Sequence, residues 1–147
     1  MSRLQLALNV SNLDEAVTFY STLFGTSPAK LREGYANFAI ENPPLKLVLI
    51  EGGGAGGSIN HLGVEVFSTN EVTAEADRLA AAGLATDIEE STTCCYAVQD
   101  KVWVQGPDHS RWEIYTVLAD AESMSAVDGC CVSETTAVSL SSTANAL

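Results

Sequence analysis

Two cysteines stand side by side in Thr93-Cys94-Cys95-Tyr96, in a chain with four cysteines altogether. As thiolates, neighbouring sulfurs can close on one soft, thiophilic centre such as trivalent arsenic or cadmium. Adjacent residues on a regular strand point to opposite faces. For Cys94 and Cys95 to grip one atom the segment has to leave that geometry, and the polar run Ser91-Thr92-Thr93 before them predicts an irregular loop. The plain alternative is a pair of small residues beside a core. A second pair, Cys130-Cys131, lies near the C-terminus. Of the two histidines, His109 falls in the turn Gly106-Pro107-Asp108-His109, where a glycine is usual, and is expected to be exposed and no ligand. His61 opens an apolar strand-like run.

The elements that must position these groups can be read in order. Leu4, Leu6, Leu8 and Val10 alternate with Gln5, Ala7 and Asn9, which predicts a half-buried strand. Ser11-Asn12 supplies a helix N-cap, and Leu13, Ala16, Val17, Tyr20 and Phe24 follow helical spacing up to Gly25. Extended runs follow at about 29–32, 35–40 and 45–50, with Pro43-Pro44 marking the last turn. The stretch from Gly52 to Ser58 is nearly all glycine. It carries no lysine and leads into a strand, so it does not fit a phosphate loop and is expected to be a flexible linker. The pattern then restarts: a strand over 59–66, a helix capped by Asn70 and closed by Gly83, and extended runs at about 84–88, 96–98, 102–105 and 112–117. Laid over one another, the two opening strands place Gln5 on His61 and Val10 on Val66. An internal repeat of this kind constrains the fold, because neither half can bury its own sheet.

With 147 residues the chain is long enough for one ordinary domain with its own core. No apolar run approaches the roughly 20 residues that span a bilayer. The opening Met1-Ser2-Arg3-Leu4-Gln5 lacks the basic and apolar regions of a secretory signal. The expectation is a cytoplasmic protein whose thiols stay mostly reduced, with no membrane partner. Seven Lys+Arg against 19 Asp+Glu leave a formal charge of -12, which argues against nucleic acid and anionic lipid as partners.

The duplicated strand–helix–strand–strand–strand pattern resembles the vicinal oxygen chelate superfamily, whose members include glyoxalase I, extradiol dioxygenases and bleomycin-resistance proteins. The resemblance implies an α+β fold in which two βαβββ modules form a cupped mixed sheet around one metal site. It covers about Arg3 to Leu118. The expected organisation is a domain over 1–118, with module one at about 3–51 and module two at about 59–118, then a Ser/Thr/Ala-rich tail over 119–147. Four longer stretches, Gly34 to Ile40, Pro43 to Glu51, Asn60 to Glu65 and Cys94 to Val104, resemble the organoarsenical C–As lyases and the related cadmium-inducible proteins. That closer resemblance implies iron(II)- and dioxygen-dependent cleavage of the carbon–arsenic bond in trivalent organoarsenicals. Methylarsonous acid would give arsenite, and trivalent aromatic arsenicals would also be substrates.

In the implied site, Gln5, His61 and Glu113 hold Fe(II), and Cys94 and Cys95 hold the substrate arsenic. No catalytic residue beyond the metal ligands is implied. One amide oxygen, one imidazole and one carboxylate leave positions open for dioxygen and substrate, the logic of the facial triad. Extradiol dioxygenases use a second histidine where this chain has Gln5, a weaker donor. Leu47 lies near the place where glyoxalase I has a fourth ligand, which argues against glyoxalase activity. Tyr96 and Lys101 flank the pair and either pack against the bound arsenical or serve on the surface. Two alternatives stand beside the lyase: a non-catalytic cadmium- or arsenic-binding protein, and another dioxygenase of the superfamily. The modules of superfamily members pair within one chain or swap between two, so both monomer and homodimer are open.

Overall fold

A computed structural model describes residues 2–124. Cys130 and Cys131, and most of the tail expected over 119–147, lie outside the described residues.

Module one begins with β1 (Arg3–Val10) and α1 (Leu13–Phe24). Asn12 caps α1 by accepting from the Glu15 N–H at 3.0 Å, and Gly25 ends it at φ 63°, in the left-handed region where a Cβ is penalised. Then come β2 (Lys30–Arg32), β3 (Tyr35–Ile40) and β4 (Leu45–Glu51). Module two repeats the order with β5 (Ile59–Glu65), α2 (Thr69–Ala81), β6 (Thr86–Cys94), β7 (Ala97–Gln105) and β8 (Arg111–Asp120). The cap of α2 is Ser68 rather than Asn70. Ser68 Oγ accepts from the Glu71 N–H, while the Glu71 carboxylate reaches back to Ser68 Oγ and the Phe67 N–H. This reciprocal box satisfies donors on both sides of the helix start, which Asn70 alone would not.

The eight strands form one sheet in the order β2-β3-β4-β1-β5-β8-β7-β6. The modules meet at an antiparallel β1/β5 seam, and within each module the first strand lies parallel to the last. Two βαβββ modules thus make one curled mixed sheet of the α+β class. The runs expected at 96–98 and 102–105 are one strand, β7, because the polar residues between them, Gln99, Asp100 and Lys101, are buried and keep the ladder. Ser91-Thr92-Thr93 likewise belong to β6, broken by a bulge at Ser91 (φ 47°) rather than by a loop.

Both helices cover the outer face of the sheet. Leu6, Leu8 and Val10 pack with Leu13, Phe38, Leu47 and Leu49 beneath α1, and Val72 and Ala76 of α2 pack with Val66 and Val102. The opposite face is enclosed as well. Gln5, Ala7 and Asn9 are 4%, 0% and 2% exposed, so the less apolar face of β1 is the deeper one. Curvature is the cause, since it turns that face into the inside of a cup. The two ends of the sheet are tied across its mouth. Lys30 of β2 donates to the Tyr96 carbonyl at 2.9 Å and pairs with Asp120 at 2.6 Å, and the Tyr35 and Tyr96 rings meet at 5.4 Å.

The glycine-rich stretch is a bonded loop, not a free linker. Gly57 N donates to the Asn9 carbonyl at 2.8 Å, and Asn9 N donates to the Ser58 carbonyl at 2.9 Å. Glu51, at the loop's start, accepts from the Leu13 N–H at 2.7 Å.

Tyr35 lies inside the cup at 1% exposure. Burial pushes its hydroxyl up to about 12, against the opposing hydrogen bond from Asn37. A phenol in an unfolded chain ionises at about 10, so above that pH unfolding releases a proton which the folded state retains. Stability that is complete below about pH 10 should therefore be lost as pH rises towards 12. Denaturant midpoints across that window should fall for the native chain and fall less steeply for Tyr35→Phe. Equal slopes in the two proteins would refute this account of the alkaline limit.

Candidate metal centre and cysteine pair

Gln5, His61 and Glu113 converge because β1, β5 and β8 are neighbours. Gln5 stands opposite Gly63, Gly63 stands beside Glu113, and His61 lies two residues along β5 on the same face. Gly63 leaves the space they need, since a Cβ there would lie 3.0 Å from Glu113 Cγ and 3.3 Å from Gln5 Nε2. Gln5 Nε2 donates to Glu113 Oε1 at 2.7 Å. His61 Nε2 is 3.1 Å from that same oxygen and 3.1 Å from Gln5 Nε2. All three residues are buried.

Lys101 is the charge partner of this group. Its Nζ lies 2.7 Å from Glu113 Oε2, and the residue is 1% exposed, which removes the surface role left open for it. The Trp103 and Tyr115 rings flank the ammonium at 5.2 Å and 5.9 Å. Burial alone would raise the Glu113 carboxyl. The Lys101 ammonium and the His61 imidazole outweigh it and hold the group well below the usual carboxylate range. Glu113 is thus an anion in a nearly water-free place. The Tyr115 hydroxyl donates to Gln5 Oε1, and burial raises that phenol well above its ordinary value.

The donor set fits a small divalent cation. Neighbouring ligands about 2.1 Å from an octahedral ion lie about 3.0 Å apart, and the three groups here are spaced at 2.7–3.1 Å. Among the described residues no group of three His, Cys, Asp or Glu could hold a metal, so a metal held here would need the amide of Gln5 as its third ligand. That amide has to turn over to offer its oxygen. The Tyr115 hydroxyl can accept as well as donate, so it can partner either orientation. Leu47 does not lie near this centre. It packs outward under α1, while Val48, beside Ala7, takes the inward place that corresponds to Glu113 in the repeat. With valine there, module one adds no fourth ligand.

Cys94 and Cys95 sit at the tight turn between β6 and β7. Cys95 (φ 55°) and Tyr96 (φ 58°) are both left-handed, as a two-residue hairpin turn requires, yet neither is glycine. Each costs roughly 1–2 kcal/mol relative to ordinary backbone. This departure from strand geometry puts the two Sγ atoms 3.5 Å apart. Both sulfurs are disulfide-bonded in the structure, though not to one another at that distance. The dithiol expected for a reducing compartment is therefore the reduced form of what is seen. Cys94 is 1% exposed and shares a cluster with Ala7, Tyr35, Val48 and Ile50. Ala7 lies two residues from Gln5 on the same face of β1, so the pair and the triad open on the same cup. Lys30 braces the turn through the Tyr96 carbonyl, as does the Cys95 N–H, which donates to the Met124 carbonyl at 2.6 Å. Tyr96 is half-buried, with its hydroxyl donating to the Glu33 carbonyl.

This fold has a match in known proteins. The model of the glyoxalase/bleomycin resistance protein/dioxygenase superfamily fits residues 3–114. The chain belongs to that superfamily. A cadmium-induced protein of Mycobacterium tuberculosis is 65% identical over 123 residues, covering 84% of this chain and 81% of that one. A trivalent organoarsenical cleaving enzyme of Thermomonospora curvata is 57% identical over 134 residues, covering 89% of each. The chain belongs to the family these relatives form, as the resemblance in its sequence implies. A Mn(II)-bound glyoxalase from Novosphingobium aromaticivorans superposes with a TM-score of 0.59 at 17% identity, over 87% of this chain and 44% of the other. An extradiol ring-cleaving dioxygenase from B. fuscum does so at 0.58 and 18%, over 82% and 34%. These two show the fold.

In this member of the superfamily several neighbours of the site escape a reading of the sequence. Tyr115 hydrogen-bonds the Gln5 amide. Asn60 meets the His61 ring at 2.7 Å. Gln99 donates to the Cys94 carbonyl at 3.1 Å and so steadies the turn. Tyr115 was the most accessible of the three, because it lies two residues from Glu113 and shares its face. His109 is exposed and bonded to Gln105.

Proposed function

We propose that the chain cleaves the carbon–arsenic bond of trivalent organoarsenicals, turning methylarsonous acid and dioxygen into arsenite and formaldehyde, the methyl carbon giving up the four electrons that reduce dioxygen. Gln5, His61 and Glu113 hold iron(II), and Cys94 and Cys95 hold the arsenic. The observation that carries this reading is that a triad drawn from three strands and the adjacent cysteines line one enclosed cup. Relatives named for cleaving trivalent organoarsenicals support it.

The residues divide the work. In the dithiol state, Cys94 and Cys95 each exchange an arsenic hydroxyl for a sulfur. Two As–S bonds form, two As–O bonds break, and two waters leave with the thiol protons. Thiolates suit arsenic because both are soft. The carbon substituent then remains free to face the triad. Glu113 supplies the negative charge there and Lys101 keeps it ionised and aimed. Tyr115 hydrogen-bonds the far end of the Gln5 amide and can do so in either orientation. Iron(II), if held by Gln5, His61 and Glu113, would supply the redox chemistry that activates dioxygen beside the carbon–arsenic bond. The Trp103 ring, edge-on to His61 at 5.3 Å, limits water around the imidazole.

The reaction is placed in the cytoplasm, where the pair stays reduced. No helix of the described residues is long and apolar enough to cross a membrane. The test is anaerobic loading with iron(II) and a thiol reductant, then air and methylarsonous acid, with arsenic species separated over time. Arsenite that appears only with both iron and oxygen is the expected result. Stoichiometric arsenic binding without arsenite, in protein shown to hold iron, would instead mean sequestration, the reading that the name of the cadmium-induced relative favours.

A further inference from the structure

We infer that Asn60 is a positioning residue which decides the ring nitrogen of His61 that carries hydrogen, and that a backbone carbonyl of the glycine-rich loop sets its direction through Asn9. Its functional meaning rests on His61 being a metal ligand. The hydrogen-bond relay itself does not.

Asn60 and His61 are adjacent on β5, so their side chains should point to opposite faces. They touch because the strand is irregular there. The pairing with β1 steps from Ala7–His61 to Leu8–Ile59 and skips Asn60. That extra residue is a bulge, which re-aims its side chain. Asn60 Oδ1 then lies 2.7 Å from His61 Nδ1.

The direction of each bond follows from the one before it. The Ala55 carbonyl can only accept, and the Ser58 hydroxyl donates to it. Ser58 Oγ therefore accepts from Asn9 Nδ2 at 2.9 Å. That turns Asn9 Oδ1 towards Asn60, whose Nδ2 donates to it at 2.9 Å. Asn60 is left with its oxygen facing the imidazole, and an oxygen can only accept. His61 must therefore carry hydrogen on Nδ1 and present a lone pair at Nε2. Nε2 faces both a donor, Gln5 Nε2, and an acceptor, Glu113 Oε1, each at 3.1 Å, so the bond to Asn60 is what selects the tautomer of the neutral ring.

The loop's composition serves the same relay. A Cβ on Gly53 would lie 2.7 Å from Asn9 Oδ1, 2.9 Å from Ile50 Cγ2 and 3.0 Å from Asn60 Nδ2. On Gly54 it would lie 2.7 Å from Asn9 Nδ2. Only bare backbone can lie against both amides, and it does so where Asn9 is 2% and Asn60 8% exposed.

The test uses metal-free protein labelled with 15N-histidine. Long-range proton–nitrogen correlation at alkaline pH, where imidazoles are neutral, reads the tautomer, with exposed His109 as the internal reference. The native chain should show His61 with hydrogen on Nδ1 alone. Asn60→Ala should give mixed or Nε2 protonation, and Asn60→Asp, which keeps an acceptor, should retain the native form. Co(II) titration should show affinity falling about 10–100-fold in Asn60→Ala, the usual effect of losing a ligand's outer partner. The loss should be smaller in Gly53→Ala and minor in Asn60→Asp. Hydrogen on Nε2 in the native chain would overturn the inference, as would an unchanged tautomer in folded Asn60→Ala. If Asn60→Ala does not fold, the native spectrum and Asn60→Asp decide between the same outcomes. Nδ1 protonation in a native chain that binds no Co(II) would uphold the relay and sink the metal-centre reading instead.

Discussion

Glu113→Ala should abolish iron- and oxygen-dependent arsenite release while leaving the arsenical bound to the protein. The carboxylate is the one anion of the triad, so its removal should lower metal affinity by more than the roughly 10–100-fold typical of an outer partner. The cysteine turn lies on other strands and does not touch Glu113, so reduced protein should still take up arsenic one to one. Folding should suffer too. Lys101 would keep a buried charge with no counter-ion 2.7 Å away, and breaking a buried pair from one side costs roughly 3–5 kcal/mol. Adding Lys101→Met to Glu113→Ala should return much of that stability and none of the activity. The double variant therefore separates a lost ligand from a damaged fold. Arsenite release that survives in folded Glu113→Ala protein would show that the metal lies elsewhere.

The second large effect belongs to the cysteines. In reduced protein, Cys94→Ser and Cys95→Ser should each weaken arsenical binding by on the order of 10²–10⁴, because either loss turns a two-point grip into a single one. Each single variant should come close to the double variant in its loss of turnover. Co(II) binding at the triad should stay near native in both. The strain of the turn gives this pair of variants its interest. Cys95 and Tyr96 hold left-handed backbone that glycine or asparagine would occupy more cheaply. Turnover unchanged in both serine variants would point to a different dioxygenase reaction in the same cup.

These two results bear on different parts of the site, and so does the sequence. Gln5 was legible as a candidate because the chain repeats itself: overlaying Leu4–Val10 on Asn60–Val66 brings it onto His61. The ligand roles expected of His61 and Glu113 were implied by the resemblance to the superfamily. The cysteine pair was legible from adjacency alone. The partner of Lys101 was not, since its place beside the cysteines left packing on the arsenical and a surface role equally open until the strand containing it proved to face Glu113. The glycine-rich loop misled in the opposite way. Its composition matches a linker, and only contact with Asn9 and Asn60 reveals why a side chain is excluded.

What the sequence determined by itself is local or repetitive: two strand–helix–strand modules, the caps of α1, an adjacent pair of soft ligands and the family. Periodicity and capping act over a few residues, and a duplication is visible along the chain without any contact being known. The tertiary structure alone decided which face of β1 is inside, that Val48 rather than Leu47 stands in the place of a fourth ligand, that Lys101 is buried on Glu113, and that Asn60 reaches the ring of its own neighbour. Those outcomes depend on the curl of the sheet and on a one-residue bulge at the module seam. Both arise where residues far apart in sequence pair, so no window along the chain contains them.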